Sequence, residues 1–494
     1  MGRNLKSKMD LKLLEAYEIV QEEKLVDLNS LGLVFQHKKT GARVLVISND
    51  DNNKVFSIGF RTPPSDSTGV PHIIEHSVLC GSKEFPAKDP FVELVKGSLN
   101  TFLNAMTYSD KTIYPIASCN EKDFQNLMHV YMDAVFYPNI YHREEIFKQE
   151  GWHYELDSLE GDLTYNGVVY NEMKGVFSSP EQQLFRLIQQ SLYPDTTYGV
   201  ESGGDPTCIP DLTYADFLAF HKKYYHPSNS YIYLYGDMDV EEKLCWMDET
   251  YLSKFGKEEV ESTIQMQQPF ESMHVTEEYY SLAENETTED KTYLSYSTVI
   301  DTSLNKEYYL AFQVLEYVLL GAPGAPLKQA LIDAKLAKDV LSSFDNGILQ
   351  PNFSIIAKNS NESEKEKFLK VIRDTLSGIV KEGIQEKALK AALNYHEFRY
   401  READFGGFQK GLTYGIQILD SWLYEDSSPF IHVEASETFE FLKQQIGTGY
   451  YEQLIQQYLL DNPHTSLVIV KPRWGLQVRW KQRQKKHWQH IKKH

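Results

Sequence analysis

Two histidines and a glutamate stand at a spacing that can hold a metal ion: His72, Glu75 and His76, in the sequence His-Ile-Ile-Glu-His. Positions i and i+4 share one face of a helix, so both imidazoles can bind the same ion. Glu75, at i+3, is adjacent to that face and can take a proton from water. Two neutral imidazoles with an open ligand position are typical of catalytic zinc. The segment therefore predicts one zinc ion per chain and Glu75 as a general base.

A catalytic zinc site needs a third protein ligand, and two downstream glutamates are candidates. Glu150 lies 74 residues after His76, in the segment Gln-Glu-Gly-Trp. Glu172 lies 96 residues after His76, within a helical pattern that extends from about Val169 to Leu192. Spacing alone leaves both candidates open.

Further segments resemble the presequence protease and falcilysin branch of the pitrilysin/insulinase superfamily, in which H-x-x-E-H is the inverted zincin motif. The resemblance runs from about Phe35 to Pro472. The segments that carry it are residues 71–82, 98–108, 167–175, 224–229, 321–323 and 405–407. Such a combination is highly specific.

The resemblance implies a role for each residue of the motif. His72 and His76 match the two histidine ligands of zinc, and Glu75 matches the catalytic base. Glu172 matches the carboxylate ligand, because its surrounding sequence is the one that this branch carries there, and it is therefore preferred to Glu150. The implied activity is zinc-dependent endopeptidase cleavage of unfolded oligopeptides.

The resemblance also implies how a peptide is bound. Asn104 and Ala105 match an edge strand that pairs with the substrate backbone. Relatives in this branch are about twice as long, and their second half closes over the first and supplies an arginine and a tyrosine beside the zinc. No segment of this sequence matches that arginine and tyrosine.

Three functions are therefore compared. One is a zinc peptidase completed by a C-terminal-half partner chain or by a second copy of itself. Another is a truncated half-enzyme that binds zinc but has little activity. The third is a non-catalytic assembly subunit, which the intact set of His72, Glu75, His76 and Glu172 disfavours.

A repeated pattern indicates that the chain is duplicated. A helical stretch leads through a proline into a short apolar strand at 231–235 and again at 467–470. Gln313 and Tyr317 replace both histidines at the matching place in the second copy. We expect an α+β fold of two homologous α/β sandwich domains, which the resemblance makes half of a clam-shell peptidase. The expected parts are a zinc-bearing catalytic domain (1–254), a linker (255–268), a homologous non-catalytic domain (269–470) and an atypical basic tail (471–494).

Composition narrows the class of partner. The 494 residues carry 50 Lys and Arg against 70 Asp and Glu, a net charge of −20. This acidity argues against nucleic acid as the main partner and suits a cationic peptide. The sequence shows no apolar run near the ~18 residues of a membrane span, and its charged beginning lacks the apolar core of a secretory signal. Four cysteines without zinc-site spacing favour a reducing compartment, so we expect a cytoplasmic protein.

Overall fold

Fifteen strands form three sheets in the described part of the chain. The structure, a computed structural model, describes residues 15–88, 90–156, 158, 161–403 and 405–476. The strands are β1 Tyr17–Leu25, β2 Ser30–His37, β3 Arg43–Ser48, β4 Lys54–Arg61, β5 Asn100–Leu103, β6 Met106–Thr107, β7 Lys111–Ser118, β8 His153–Glu155, β9 Thr164–Asn166, β10 Ser230–Gly236, β11 His274–Leu282, β12 Thr292–Val299, β13 Asp339–Asp345, β14 Asn352–Ser360 and β15 Thr465–Trp474.

Helices cover the two larger sheets. They are α1 Val70–Val78, α2 Pro90–Gly97, α3 Glu121–Phe136, α4 Glu144–Glu150, α5 Val168–Val176, α6 Pro180–Leu192, α7 Tyr214–Tyr224, α8 Val240–Thr250, α9 Lys306–Glu316, α10 Pro326–Asp333, α11 Lys365–Glu382, α12 Glu386–Arg401, α13 Lys410–Trp422, α14 Ser436–Gln444 and α15 Tyr450–Leu454. The expected helix from Val169 to Leu192 is instead two helices, because Ser179 caps a new one and Pro180 cannot continue the old one.

The two larger sheets share one topology. In the eight-stranded sheet, β10 lies between β3, to which it is parallel, and β4, to which it is antiparallel. In the five-stranded sheet, β15 likewise lies between β11, to which it is parallel, and β12, to which it is antiparallel. The orders β4-β7-β5 and β12-β14-β13 then continue each sheet in the same way. The predicted α+β fold with two homologous units is confirmed; we call them the first unit (the eight-stranded sheet) and the second unit (the five-stranded sheet).

Each unit covers the open face of the other unit's sheet. One face of each sheet packs against helices of its own unit and forms a large apolar core. Against the opposite face of the first sheet lies α13, where Trp422 contacts Tyr231 with ring centroids 5.0 Å apart. Against the opposite face of the second sheet lies α6, through Leu184, Ile188 and its neighbours. The units are therefore joined by two exchanged helices.

The expected linker is irregular, and hydrogen bonds fasten it to both units. Residues 256–270 form neither helix nor strand. Ser262 Oγ donates to Asn229 Oδ1 at 2.6 Å, and the Gln267 backbone N–H donates to Gln350 Oε1 at 2.7 Å. The segment thus bonds to both units along its length.

The expected start of the basic tail, residue 471, falls inside β15, which continues to Trp474. Pairing with β11 extends the strand, and Lys471 Nζ lies 2.7 Å from a carboxylate oxygen of Glu277 and 3.1 Å from one of Glu362. Residues 477–494 of the expected tail, like residues 1–14, lie outside the described residues.

One helical stretch within the described residues, Lys306–Asp333, is long and apolar enough to cross a membrane: it has 28 residues, and its most apolar 18-residue window has a mean hydropathy of 1.3. Half of its most apolar window is buried inside the protein. Phe312, Leu315 and Leu319 of this stretch belong to the core of the second unit. Because core helices meet the same two requirements, the stretch is weak evidence for a span.

A buried cluster of charged groups crosses the contact between the units. Lys111 Nζ donates to the Gly347 carbonyl at 2.9 Å and lies 3.3 Å from Asp110 Oδ1. The hydroxyls of Tyr198 and Tyr424 donate to Asp110 Oδ2 at 2.6 and 2.5 Å. Lys111 is thereby held between the first unit and the second.

Asp420 belongs to the same cluster and accepts from the Tyr309 hydroxyl at 2.8 Å. Burial raises the pKa of Asp420 to about 7, with the charges of Asp345 and Asp110 acting in the same direction and Lys111 against it. The folded protein therefore holds a proton that the unfolded chain releases near pH 4.

We expect the free energy of unfolding to fall as pH rises from about 4 to about 7. The proton bound by Asp420 favours the folded state fully below the pKa of the unfolded chain, and this contribution is lost as pH rises through the pKa of the folded protein. In the Asp420→Asn variant, the free energy of unfolding should lose the part of its pH dependence that Asp420 causes. Its gain over wild type at pH 8 should reach up to about 4 kcal/mol, at about 1.4 kcal/mol for each pH unit between the two pKa values. Urea unfolding at pH 5 and pH 8 measures this, with the exposed Asp237→Asn as control; equal slopes in all three proteins would contradict it.

Candidate metal centre

Helix α1 presents His72 and His76 side by side. Gly69, at φ 73°, precedes the helix, and Pro71 occupies its first turn. Ile73, Ile74 and Val78 are buried in the core of the first unit, which fixes the rotation of α1. The side chains of His72 and His76 are 12% and 26% exposed, and their ring centroids lie 4.9 Å apart.

Helix α5 brings Glu172 to the same point. Its start is held by Gly167, at φ 155°, where a Cβ would lie 2.1 Å from the Gly151 carbonyl oxygen at the end of α4. Glu172 Oε2 lies 3.8 Å from Nε2 of His72 and 3.8 Å from Nε2 of His76. The three ligand atoms all lie within 4.8 Å of one another.

These residues fit a zinc ion in donor type and in spacing. Two imidazoles and a carboxylate are an established ligand set of catalytic zinc, and bonds of about 2.0–2.2 Å in tetrahedral geometry separate ligand atoms by about 3.3–3.6 Å. The two observed separations of 3.8 Å are within a few tenths of an ångström of that value, and the separation between the two histidine ligand atoms is at most 4.8 Å. Small side-chain adjustments would suffice to hold the ion.

The other ring nitrogen of each histidine faces an acceptor. His72 Nδ1 lies 3.0 Å from the Gly203 carbonyl oxygen. His76 Nδ1 lies 3.4 Å from Glu150 Oε2. An acceptor at Nδ1 favours the tautomer whose Nε2 lone pair is available to a metal. Glu150, the alternative third ligand, therefore lies behind His76, whereas Glu172 lies in front of both histidines.

Charge around His76 is strongly negative. Burial lowers the pKa of His76, but contact with Glu150 and the charges of Glu75, Glu150 and Glu172 outweigh this effect and raise the pKa above its usual value. Burial raises the pKa of Glu150, yet its contacts with His76, Gln149 and Cys80 outweigh that effect and lower the pKa. Glu150 is thus an anion that orients His76.

Replacing Glu150 by glutamine should weaken zinc binding by about 10–100-fold, the usual effect of losing an outer partner of a metal ligand. Glutamine keeps the shape of the side chain but not its charge, so His76 should lose orientation and basicity. Competition with a chromophoric chelator measures the zinc affinity. The exposed Glu145→Gln on the same helix is the matched control, and an equal affinity in both variants would refute the role of Glu150.

Glu75 lies on the buried side of α1, 9% exposed, and faces a group of tyrosines. Burial, with a smaller contribution from the Glu75 charge, raises the pKa values of Tyr114, Tyr131 and Tyr225. The hydroxyls of Tyr114 and Tyr225 lie 2.8 Å apart. These phenols therefore stay protonated around the carboxylate.

Asn104 and Ala105, expected in an edge strand, lie in a break between β5 and β6 at the edge of the first sheet. Ala105 is buried, and Asn104 is exposed. The Asn104 N–H donates to the Pro115 carbonyl at 3.3 Å, and its carbonyl accepts from the Tyr131 hydroxyl at 3.2 Å. Pro115 has no N–H to donate to the ladder, so strand pairing is interrupted opposite it. Pairing of a peptide with this edge stays a prediction.

A loop that the sequence does not single out supports His72. The Gly203 N–H donates to Glu201 Oε1 at 3.1 Å, and the Gly203 carbonyl faces His72. A Cβ at Gly69 would lie 2.8 Å from that carbonyl oxygen, so the loop and the start of α1 approach closely. The paired glycines Gly203 and Gly204 are the only local signal, and they indicate a tight backbone approach without naming its target.

Two family models match consecutive parts of the chain. One, described as "Insulinase (Peptidase family M16)", matches residues 55–201, a range that includes His72, His76 and Glu172 of the candidate metal centre. The other, described as "Peptidase M16 inactive domain", matches residues 211–395. Together the two models cover more than half of the chain.

Individual proteins are similar over nearly the whole chain. Protein HypA of Clostridium perfringens is 51% identical over 476 residues, which are 96% of this chain and 49% of that protein. Presequence protease 1 of Arabidopsis thaliana is 42% identical over 464 residues, covering 92% of this chain and 43% of that protein. The chain thus spans about half the length of these curated relatives.

A solved structure shows the same fold. A protease from Helicobacter pylori superposes with a TM-score of 0.68 at 15% identity, covering 92% of this chain and 100% of that one. At this identity the likeness concerns the fold alone. The family models and the sequence relatives agree with it, and the chain belongs to peptidase family M16, the insulinase family.

Proposed function

We propose that this chain is a zinc metallopeptidase that hydrolyses peptide bonds of unfolded oligopeptides. The observation that carries the proposal is the convergence of His72, His76 and Glu172 within 4.8 Å, beside the buried Glu75. Membership of a peptidase family and the similarity to presequence proteases support it.

Each residue has a distinct part in the proposed reaction. His72, His76 and Glu172 would hold the zinc ion, which lowers the pKa of water toward 7 and polarises a peptide carbonyl. The Glu75 carboxylate takes the proton of the attacking water and returns it to the leaving amine. Glu150 and the Gly203 carbonyl keep the two imidazoles oriented.

The substrate would lie along the edge formed by β5 and β6. Helix α1 packs against β6, so a peptide at this edge passes close to the metal centre. Only an extended peptide presents backbone groups to a sheet edge, which restricts the substrate to unfolded chains. Asn104, exposed at the break in this edge, is the proposed contact, with Ala105 beneath it.

A half-enzyme is the second candidate, and the length of the relatives favours it. This chain covers 43–49% of the two relatives described above, so residues from another half could be needed at the site. A missing donor at the developing oxyanion typically costs about 10²–10³ in rate. A partner chain or a second copy would then restore turnover.

The cytoplasmic location expected from the cysteines stays a prediction.

The test is hydrolysis of a quenched fluorescent, unstructured peptide by the purified chain. We expect turnover that is lost on chelation and restored by one equivalent of zinc. Zinc bound at one equivalent without turnover would favour the half-enzyme, and addition of a separate second half should then restore activity. A chain that binds no zinc would refute both candidates.

A further inference from the structure

A cavity of about 250 Å³ lies between the two units, beside the metal centre. Its first wall comes from α5, α6 and the loop before Gly203, including Phe177, Arg186 and Glu201. The second wall comes from β13 and β14, including Ser343, Asp345 and Asn352. Sites for drug-sized ligands measure about 300–1,000 Å³, so this volume suits one long side chain better than a whole small molecule.

The positively charged residue of the cavity lining, Arg186, already has an ion-pair partner. Arg186 Nη1 lies 3.2 Å from Asp205 Oδ2, and its guanidinium carbon lies 4.1 Å from the centre of the Phe177 ring. Arg186 is therefore held against its own wall by an ion pair and by a cation–π contact. Because Asp205 offsets its charge, Arg186 should repel a cation that enters the cavity only weakly.

Within the part of the chain that the structure describes, no partner ion lies at contact distance from two other carboxylates of the lining, Glu201 and Asp345. Glu201 accepts from the Gly203 N–H, and a backbone N–H satisfies hydrogen bonding without neutralising charge. Asp345 feels Lys111 at a distance, but Lys111 makes its close contacts with Asp110 and Gly347. Burial raises the pKa values of both Glu201 and Asp345 and outweighs the opposing charges, which are Arg186 and His72 for Glu201 and Lys111 for Asp345.

We infer that this cavity is a subsite for a basic side chain, lysine or arginine, of the substrate peptide. A cation placed here would contact carboxylates from both walls, and the neutral amides and hydroxyls around them would complete its hydrogen bonds. The net charge of −20 would draw such peptides toward the protein. The inference rests on the proposed peptidase function.

The position of the cavity connects it to the metal centre. Met173, in its lining, follows Glu172 directly in α5. Glu201 bonds to Gly203, whose carbonyl faces His72. A basic side chain in the cavity would therefore anchor the backbone of its peptide beside the proposed ligands, so the subsite should influence where a peptide is cut.

Binding can be measured separately from hydrolysis. We would use the Glu75→Gln protein loaded with zinc, and fluorescent peptides in which a single arginine is moved along an otherwise neutral sequence. Each peptide is paired with one that carries citrulline, which has the same shape without the charge. Fluorescence anisotropy at about 0.15 M ionic strength limits long-range attraction, since the Debye length is then about 8 Å.

At one or more positions, we expect the arginine peptide to bind at least about 10-fold more tightly than its citrulline partner. The additional Asp345→Asn substitution should reduce that ratio to near 1. Asp339→Asn removes the same charge from the exposed end of β13 and should leave the ratio unchanged. Ser343→Lys, which places a cation of the protein in the cavity, should abolish the preference even if Asp345→Asn does not fold.

Equal binding of arginine and citrulline peptides at every position would overturn the inference. So would a preference that survives both Asp345→Asn and Ser343→Lys. Because the assay requires no turnover, an inactive chain that still shows the preference would refute the peptidase proposal alone.

Discussion

Substitution of Glu75 by glutamine is expected to lower the rate of peptide hydrolysis by about 10²–10⁴-fold, the usual contribution of a general base. Glutamine has the shape of glutamate but cannot take a proton. Glu75 is buried on α1 and is not one of the three residues that converge on the metal position. The variant should therefore keep its zinc while it loses activity, as measured by turnover of a quenched peptide and by metal analysis.

The control for this experiment is the exposed Glu84→Gln, which should retain full activity. A Glu75→Gln protein with wild-type turnover would show that another group takes the proton. A Glu75→Gln protein without zinc would instead show that the carboxylate helps to hold the metal.

Substitution of Glu172 by glutamine should have the largest effect on zinc affinity among the glutamates of the site. Glu172 Oε2 is 3.8 Å from both Nε2 atoms, whereas Glu150 approaches only Nδ1 of His76. Loss of a ligand should exceed the about 10–100-fold loss expected for an outer partner. Glu172→Gln should also abolish turnover at zinc concentrations that saturate the wild type.

Comparison of Glu172→Gln with Glu150→Gln decides between the two candidate ligands. Chelator competition on both variants gives the two affinities under one condition. A greater loss in Glu150→Gln would reverse the assignment and place Glu150 on the metal. Circular dichroism controls for folding, because the side chain of Glu172 is 51% exposed and its replacement should not unfold the chain.

Local pattern predicts much of the fold. The H-x-x-E-H spacing requires a helix, and the structure has α1 at Val70–Val78. The apolar runs at 231–235 and 467–470 lie in β10 and β15, central strands of the two sheets, because only strands covered on both faces are apolar throughout. A helical stretch and a proline precede each of the two runs, and this repeated pattern also identifies the duplication.

Contacts between distant residues are not visible in such patterns. The exchange of α6 and α13 joins residues far apart in the chain, and no periodicity specifies which sheet a helix will cover. Likewise, Glu150 satisfies the spacing expected of a ligand, and only the packing of α4 behind α1 places it at Nδ1 of His76. Pro115 interrupts an edge strand whose pairing partner could not be known beforehand.

The exchange of helices has a consequence for synthesis on the ribosome. Tyr235 lies near the end of β10, the last strand of the first sheet in chain order, but Trp422, which covers the sheet face opposite the unit's own helices, follows 187 residues later. At about 5–20 residues per second, that face stays open for roughly 10–40 s during translation. A nascent chain with this bare tyrosine-rich surface is a ready client for chaperones, and arrest of translation before residue 410 should leave it aggregation-prone.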